Sequence, residues 1–146
     1  MPALAEALAR SSGDVVEFGI GHFSTPFLSA YCNATNRKLF SIETNEEWFN
    51  EFKHLGSNGH HLFCGDAILL AGKIKTLETG LVFIDSSPGG EHRAALVKEF
   101  LPCSQYIVVH DYHRENEEAI APLIKGRKFK VYKDYDPPTL IVKGDL

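Results

Sequence analysis

Five short apolar runs, each closing on or beside an acidic residue, set the frame of this chain: DVVE at 14–17, LFSIE at 39–43, LFCGD at 62–66, LVFID at 81–85 and YIVVHD at 106–111. Each has the length of a buried strand and is rich in β-branched and aromatic residues. The segments between them carry helix signals instead. Strands that alternate with helices fold as a parallel sheet with helices over both faces, because each crossover must return to the edge where the next strand begins. The last two runs, FKVYKDY at 129–135 and TLIVKG at 139–144, are joined by Asp136-Pro137-Pro138 with no helix between, so an antiparallel hairpin is expected there. The expected fold class is α/β, a doubly wound sheet that is mostly parallel with a C-terminal antiparallel hairpin.

Local chemistry sets the expected helix limits. Residues 3–10 read as a short helix ended by Ser11-Ser12-Gly13. Thr25-Pro26 reads as a cap and first helical residue, with the helix running to Asn33. Thr44 and Glu47 have capping-box spacing for a helix through Trp48, Phe49 and Phe52, three rings expected in the core. A short segment is expected at 68–74, and further helices at 91–101 before Pro102 and at 115–125 with a kink at Pro122. The adjacent His60 and His61 point to opposite faces of a strand and do not form one ligand pair. With 146 residues and neither repeat nor linker, one domain spanning 1–146 is expected.

A net charge of −4 argues against nucleic acid as a partner and leaves KGRKFKVYK at 125–133 as the one basic candidate, most simply a solvated face. Cys32, Cys64 and Cys103 lack metal-ligand spacing and point to reduced thiols and a cytoplasmic setting, with Cys64 expected in the core. Glu6 and Arg10 interrupt the apolar N-terminal stretch, unlike a signal peptide, and nothing approaches the ~20 apolar residues of a membrane span.

In doubly wound folds ligands bind beyond the carboxyl ends of the strands, where strand order reverses. That draws residues 17–25, Glu43, Asp66, 85–93 and 110–114 into one region, and folding alone does not require an acid at every strand end. Gly19 and Gly21 suit either a tight turn or a bare backbone that a ligand can approach, and the strand before and helix after lend weight to the second. Glu43 ends the second strand, where a carboxylate can accept hydrogen bonds from two ribose hydroxyls. Position 24, where a dinucleotide fingerprint carries its third glycine, is Ser24, which leans away from NAD.

At this point the chain resembles the class I S-adenosylmethionine-dependent methyltransferases, a Rossmann-like family, over about residues 13–143. VVEFGIGHFS looks like that family's first motif, Glu43 after LFSI like the acid of its second strand, and FCGDA like the motif that meets adenine. The resemblance implies that Glu17 braces the glycine loop and, directly or through water, the methionine ammonium. It implies that Gly19, Gly21 and His22 or Ser24 flank the methionine, that Glu43 holds the ribose, and that Asp66 and Ala67 hold the adenine. Asp85 is implied beside the sulfonium. Carboxylates favour both cations of such a cofactor electrostatically. So few residues precede the first strand that a second subunit, a docked substrate or an open cleft is expected, hence a homodimer as one expectation.

Residues 85–93, from Asp85 through the glycine-containing turn to His92 and Arg93, converge with HDYHR at 110–114 at the ends of neighbouring strands, and three readings stay open. Asp85 and Asp111 can hold a divalent metal with a histidine, a set better suited to Mn²⁺ or Fe²⁺ than Mg²⁺. His110 or His92 can serve as general base. Or Asp111 caps a turn, His110 is a satisfied strand-end residue and Arg93 pairs with a surface carboxylate. The 86–90 loop can bind an anion or be a turn. The expected function is methyl transfer from S-adenosylmethionine to an oxygen or nitrogen nucleophile. The alternatives are a non-catalytic nucleoside-binding module and an NAD-dependent oxidoreductase.

Overall fold

A computed structural model describes residues 2–75 and 78–146. The chain runs α1 (Pro2–Arg10), β1 (Asp14–Phe18), α2 (Ser24–Ala34), β2 (Leu39–Glu43), α3 (Glu46–Phe52), β3 (His60–Cys64), α4 (Ala67–Ile74), β4 (Thr79–Ile84), α5 (Glu91–Phe100), β5 (Ser104–Val109), α6 (Glu115–Ile120), β6 (Phe129–Tyr132) and β7 (Thr139–Lys143). The strands form one sheet in the order β3-β2-β1-β4-β5-β7-β6. The first five are parallel, and β7 lies antiparallel to both β5 and β6. The expected α/β fold and its closing hairpin are both present.

β4 sits at the centre with all six residues buried. Its alternate side chains enter two cores. Val82 and Ile84 pack with Phe100 of α5 and Ile120 of α6, while Leu81 and Phe83 pack with Leu4 and Leu8 of α1 and Leu28 of α2. Each fully buried large side chain contributes roughly 1.5–3 kcal/mol, so the period-2 alternation along β4 fastens helices to both faces at once.

Several local expectations are corrected. Thr25 is not the cap of α2; it lies inside the helix, its hydroxyl turned toward β1. The cap of α3 is Asn45, whose side chain accepts from the Trp48 amide, while the Thr44 hydroxyl faces back to Glu43 Oε1 at 3.5 Å. α6 ends at Ile120 rather than kinking, two residues before Pro122, which has no N–H to continue the ladder. Cys64 is exposed, since β3 is an edge strand that loses its cover toward its end. Of the three rings on α3, Phe52 is buried, and Trp48 and Phe49 are half-buried. Among the described residues no helix is long and apolar enough to cross a membrane.

Candidate active site

Strand order reverses between β1 and β4, and the glycine loop that leaves β1 meets the end of β4 at this point. Gly19 has φ +91, and a Cβ there would stand 2.5 Å from the Asp85 carbonyl oxygen. Its bareness is needed by the fold. Gly21 differs: a Cβ there would meet only the Ser24 hydroxyl at an ordinary 3.5 Å. Nothing in the protein requires a glycine at position 21, so its missing side chain leaves room on the cleft side.

A buried polar network holds this loop from beneath. Glu17 is fully buried, and its carboxylate accepts from Thr25 Oγ1 at 3.0 Å and Ser41 Oγ at 2.7 Å, with Ser24 contributing as well. Thr25 Oγ1 in turn accepts from the Gly21 amide at 2.9 Å. Behind Ser41, His60 Nε2 lies 2.9 Å from the hydroxyl, and its Nδ1 lies 3.2 Å from Ser29 Oγ. Burial pushes the Glu17 carboxyl up to about 7 and the His60 imidazole down to about 4. The bracing expected of Glu17 thus runs through Thr25. Ser41 and His60 belong to no sequence motif, although Ser41 stands directly across the ladder from Glu17.

Three backbone donors orient Glu43. Its carboxylate accepts from the amides of Ile20 (3.1 Å), Thr44 (2.8 Å) and Asn45 (2.8 Å), tying the end of β2 to the glycine loop. The Trp48 indole donates to the Ile20 carbonyl, and His22 rests against the Trp48 and Phe52 rings. Asp66 caps α4 through the Leu69 amide, and Ala67 is buried.

At the ends of β4 and β5, Asp85 Oδ1 lies 3.3 Å from His110 Nδ1 and 3.3 Å from the Arg93 guanidinium, and Asp111 Oδ1 lies 3.5 Å from His110 Nδ1. Asp111 adopts φ +54, which aspartate tolerates better than most residues. Arg93 is not a surface residue. It is buried and also donates to the carbonyls of Ser86 and His110, clamping the two strand ends together. The carboxylate of Asp85 holds the His110 imidazole above its usual range, against the opposing effect of burial. With Nδ1 facing two carboxylates, Nε2 is the ring nitrogen left to act on a ligand. Asp85, His110 and Asp111 also converge closely enough to share one metal ion. Arg93 donates to the same Asp85 oxygen, which leaves that atom less free to ligate a metal.

Gly21, His22, Phe23, Ser24, Phe83, Asp85 and His110 line one cleft of about 250 Å³. A second cavity of about 200 Å³ adjoins it, sharing Phe83 and His110 and walled by the start of α1, Tyr132, Tyr135 and Pro137. Glu43 and Asp66 sit at the next two strand ends along the same edge. His92 lines neither cavity, and its Nδ1 is buried without a partner. No sequence motif announces the second cavity, because its walls come from residues more than a hundred positions apart.

Solved structures share this fold. A SAH-bound methyltransferase of Podospora anserina superposes with a TM-score of 0.71 at 16% identity, covering 97% of this chain and 76% of that one. A methyltransferase of Geobacter sulfurreducens gives a TM-score of 0.72 at 13% identity, over 98% and 76% of the two chains. The fold is that of the class I methyltransferases. A precorrin-6y C5,15-methyltransferase of Geobacter metallireducens gives 0.65 at 20% identity, over 96% and 85%. No protein-family model matches the chain, and no curated protein sequence does. The resemblance read from the glycine loop and strand ends therefore holds at the level of the fold.

Proposed function

We propose that the protein is an S-adenosylmethionine-dependent methyltransferase acting on an oxygen or nitrogen nucleophile. The observation that carries this reading is the meeting of two cavities at His110: one bordered by the bare Gly21 and Asp85, the other walled by aromatic rings. Along the carboxyl edge the strand ends present Asp66, Glu43, the glycine loop, Asp85 and His110 in that spatial order. A nucleoside carrying an amino acid is long and cationic at one end, and suits that sequence of carboxylates. Asp66 and Ala67 would take the adenine, Glu43 the ribose, and Gly19, Gly21, His22, Ser24 and Asp85 the methionine end.

When bound, S-adenosylmethionine supplies the methyl group, and its sulfur keeps the electron pair of the broken carbon–sulfur bond. The protein aligns and deprotonates. His110 Nε2 takes the proton that the acceptor hydroxyl or amine loses, and Asp85 and Asp111 hold the ring and stabilise the imidazolium that results. Calorimetric titration with S-adenosylhomocysteine, with NADH as control, tests the reading. Binding of the adenosyl ligand alone is expected; binding of NADH instead would replace it with the oxidoreductase. A second, non-catalytic reading would gain if S-adenosylhomocysteine bound tightly and no hydroxyl or amine acceptor turned over.

A further inference from the structure

The closing hairpin carries charges that the cofactor cleft does not use. On the α1 side of the sheet, a groove of about 190 Å³ runs between α1 and the edge strand β6, lined by Glu6, Arg10, Tyr106, Lys128, Lys130 and Lys143 among others. Four cations thus face one carboxylate, in a protein whose net charge is −4. Glu6 already serves two of them, Arg10 at 3.2 Å and Lys130 at 3.0 Å. Among the described residues, neither Lys128 nor Lys143 has an ion-pair partner. The Lys143 amide donates to the Lys128 carbonyl, and the register that pairs Phe129 with Val142 sets Lys128 directly across from Lys143. Tyr106 stands on Lys143's other side. Like charges directly opposed on one face of a sheet are destabilising. A solubilising lysine on the edge strand accounts for Lys128 but not for Lys143 on the inner strand.

The groove neighbours the active-site cavity. Lys130 Nζ reaches the Tyr132 hydroxyl at 2.7 Å, and Tyr132 walls the cavity that contains His110. From Lys128 to Tyr132 is four strand residues, ~13 Å. We propose that the groove anchors the methyl acceptor: a small molecule whose planar reacting group lies between Phe83 and Tyr132 beside His110, and whose phosphate or diphosphate seats between Lys128 and Lys143. Such an anion relieves the repulsion between the two lysines and fixes the reacting atom by a contact remote from the chemistry. The inference rests on the methyl-transfer reading and adds the acceptor's chemical class.

The test is titration of the full chain with inorganic pyrophosphate at low salt, followed by amide shifts, for the wild type and for Lys128→Ser/Lys143→Ser. S-adenosylhomocysteine affinity and thermal stability are measured on the same samples. The expected result is shifts centred on residues 106, 128 and 143, pyrophosphate binding weakened about tenfold (about 1.4 kcal/mol) in the variant, and unchanged S-adenosylhomocysteine affinity. The variant is also expected to unfold at a higher temperature than wild type without pyrophosphate, which shows that it is folded. Shifts elsewhere, or equal binding by the variant, would overturn the anchor. A single-stranded RNA that binds more tightly than pyrophosphate, through the same lysines, would overturn the small acceptor in favour of nucleic acid. Loss of S-adenosylhomocysteine binding with pyrophosphate binding intact would refute the methyl-transfer reading, and the acceptor role with it.

Discussion

Two glycines two positions apart carry different constraints, and that difference can be measured. Gly19→Ala drives a methyl group into the Asp85 backbone at a positive φ and should unfold the protein or cost several kcal/mol. Gly21→Ala adds a methyl group in ordinary contact with the Ser24 hydroxyl; stability should change by less than about 1 kcal/mol, while S-adenosylhomocysteine binding weakens markedly in calorimetry. Glu17 and His60, joined through Ser41, give the second residue-level expectation. Glu17 has its folded pKa raised from 4.5 to about 7, so its contribution is greatest below pH 4.5 and is lost as pH rises through 7. His60 has its folded pKa lowered from 6.5 to about 4, so its contribution is present above 6.5 and is lost as pH falls through 4. The two oppose each other between pH 4.5 and 6.5. Chemical denaturation of Glu17→Gln should therefore uncover a steeper rise of stability with pH across that window than the wild type shows. His110, held above the usual imidazole range by Asp85, predicts activity that falls as pH drops through its raised pKa. Asp111→Asn should move that limb of the rate profile to lower pH; an unmoved limb would remove His110 as the base.

Helix α5 fixes the site because Arg93 reaches across to two strand ends at once. Arg93→Leu leaves two carbonyls without a donor and Asp85 without its guanidinium, and should destabilise the protein in denaturant unfolding by about 1–3 kcal/mol for each buried group left unpaired. Most elements were legible in the sequence because hydrophobic period carries them: β4 is LVFI flanked by polar turns, and α5 ends at the residue before Leu101-Pro102. What was not legible lies between elements. Thr25 has the chemistry of a cap and the position of one, yet the buried Glu17 captures its hydroxyl. Thr44 yields the cap of α3 to Asn45 for a similar reason, as its hydroxyl faces Glu43. The candidate cofactor residues could be named because strand ends are readable one at a time. The ring-walled cavity could not, since it forms only when the first turn of α1 meets the β6–β7 connection.

At the scale of the molecule, ligand binding and folding are linked. A ligand seated across the ends of five parallel strands binds the native state alone, so S-adenosylhomocysteine at about a hundred times its dissociation constant should add about 2.7 kcal/mol and raise the melting temperature by several degrees. A melting temperature indifferent to the ligand would argue against a site built from the assembled sheet edge. The order of the strands has a consequence for synthesis. β6 touches the sheet only through β7, and β7 follows it in the chain. A ribosome that has delivered β6 has delivered a strand with nowhere to dock, and the outer edge of β5 stays bare until Leu140, Ile141 and Val142 arrive. The nascent chain therefore completes its sheet from the inside outward. Until then it exposes the edge of β5, a template on which a neighbouring chain could pair.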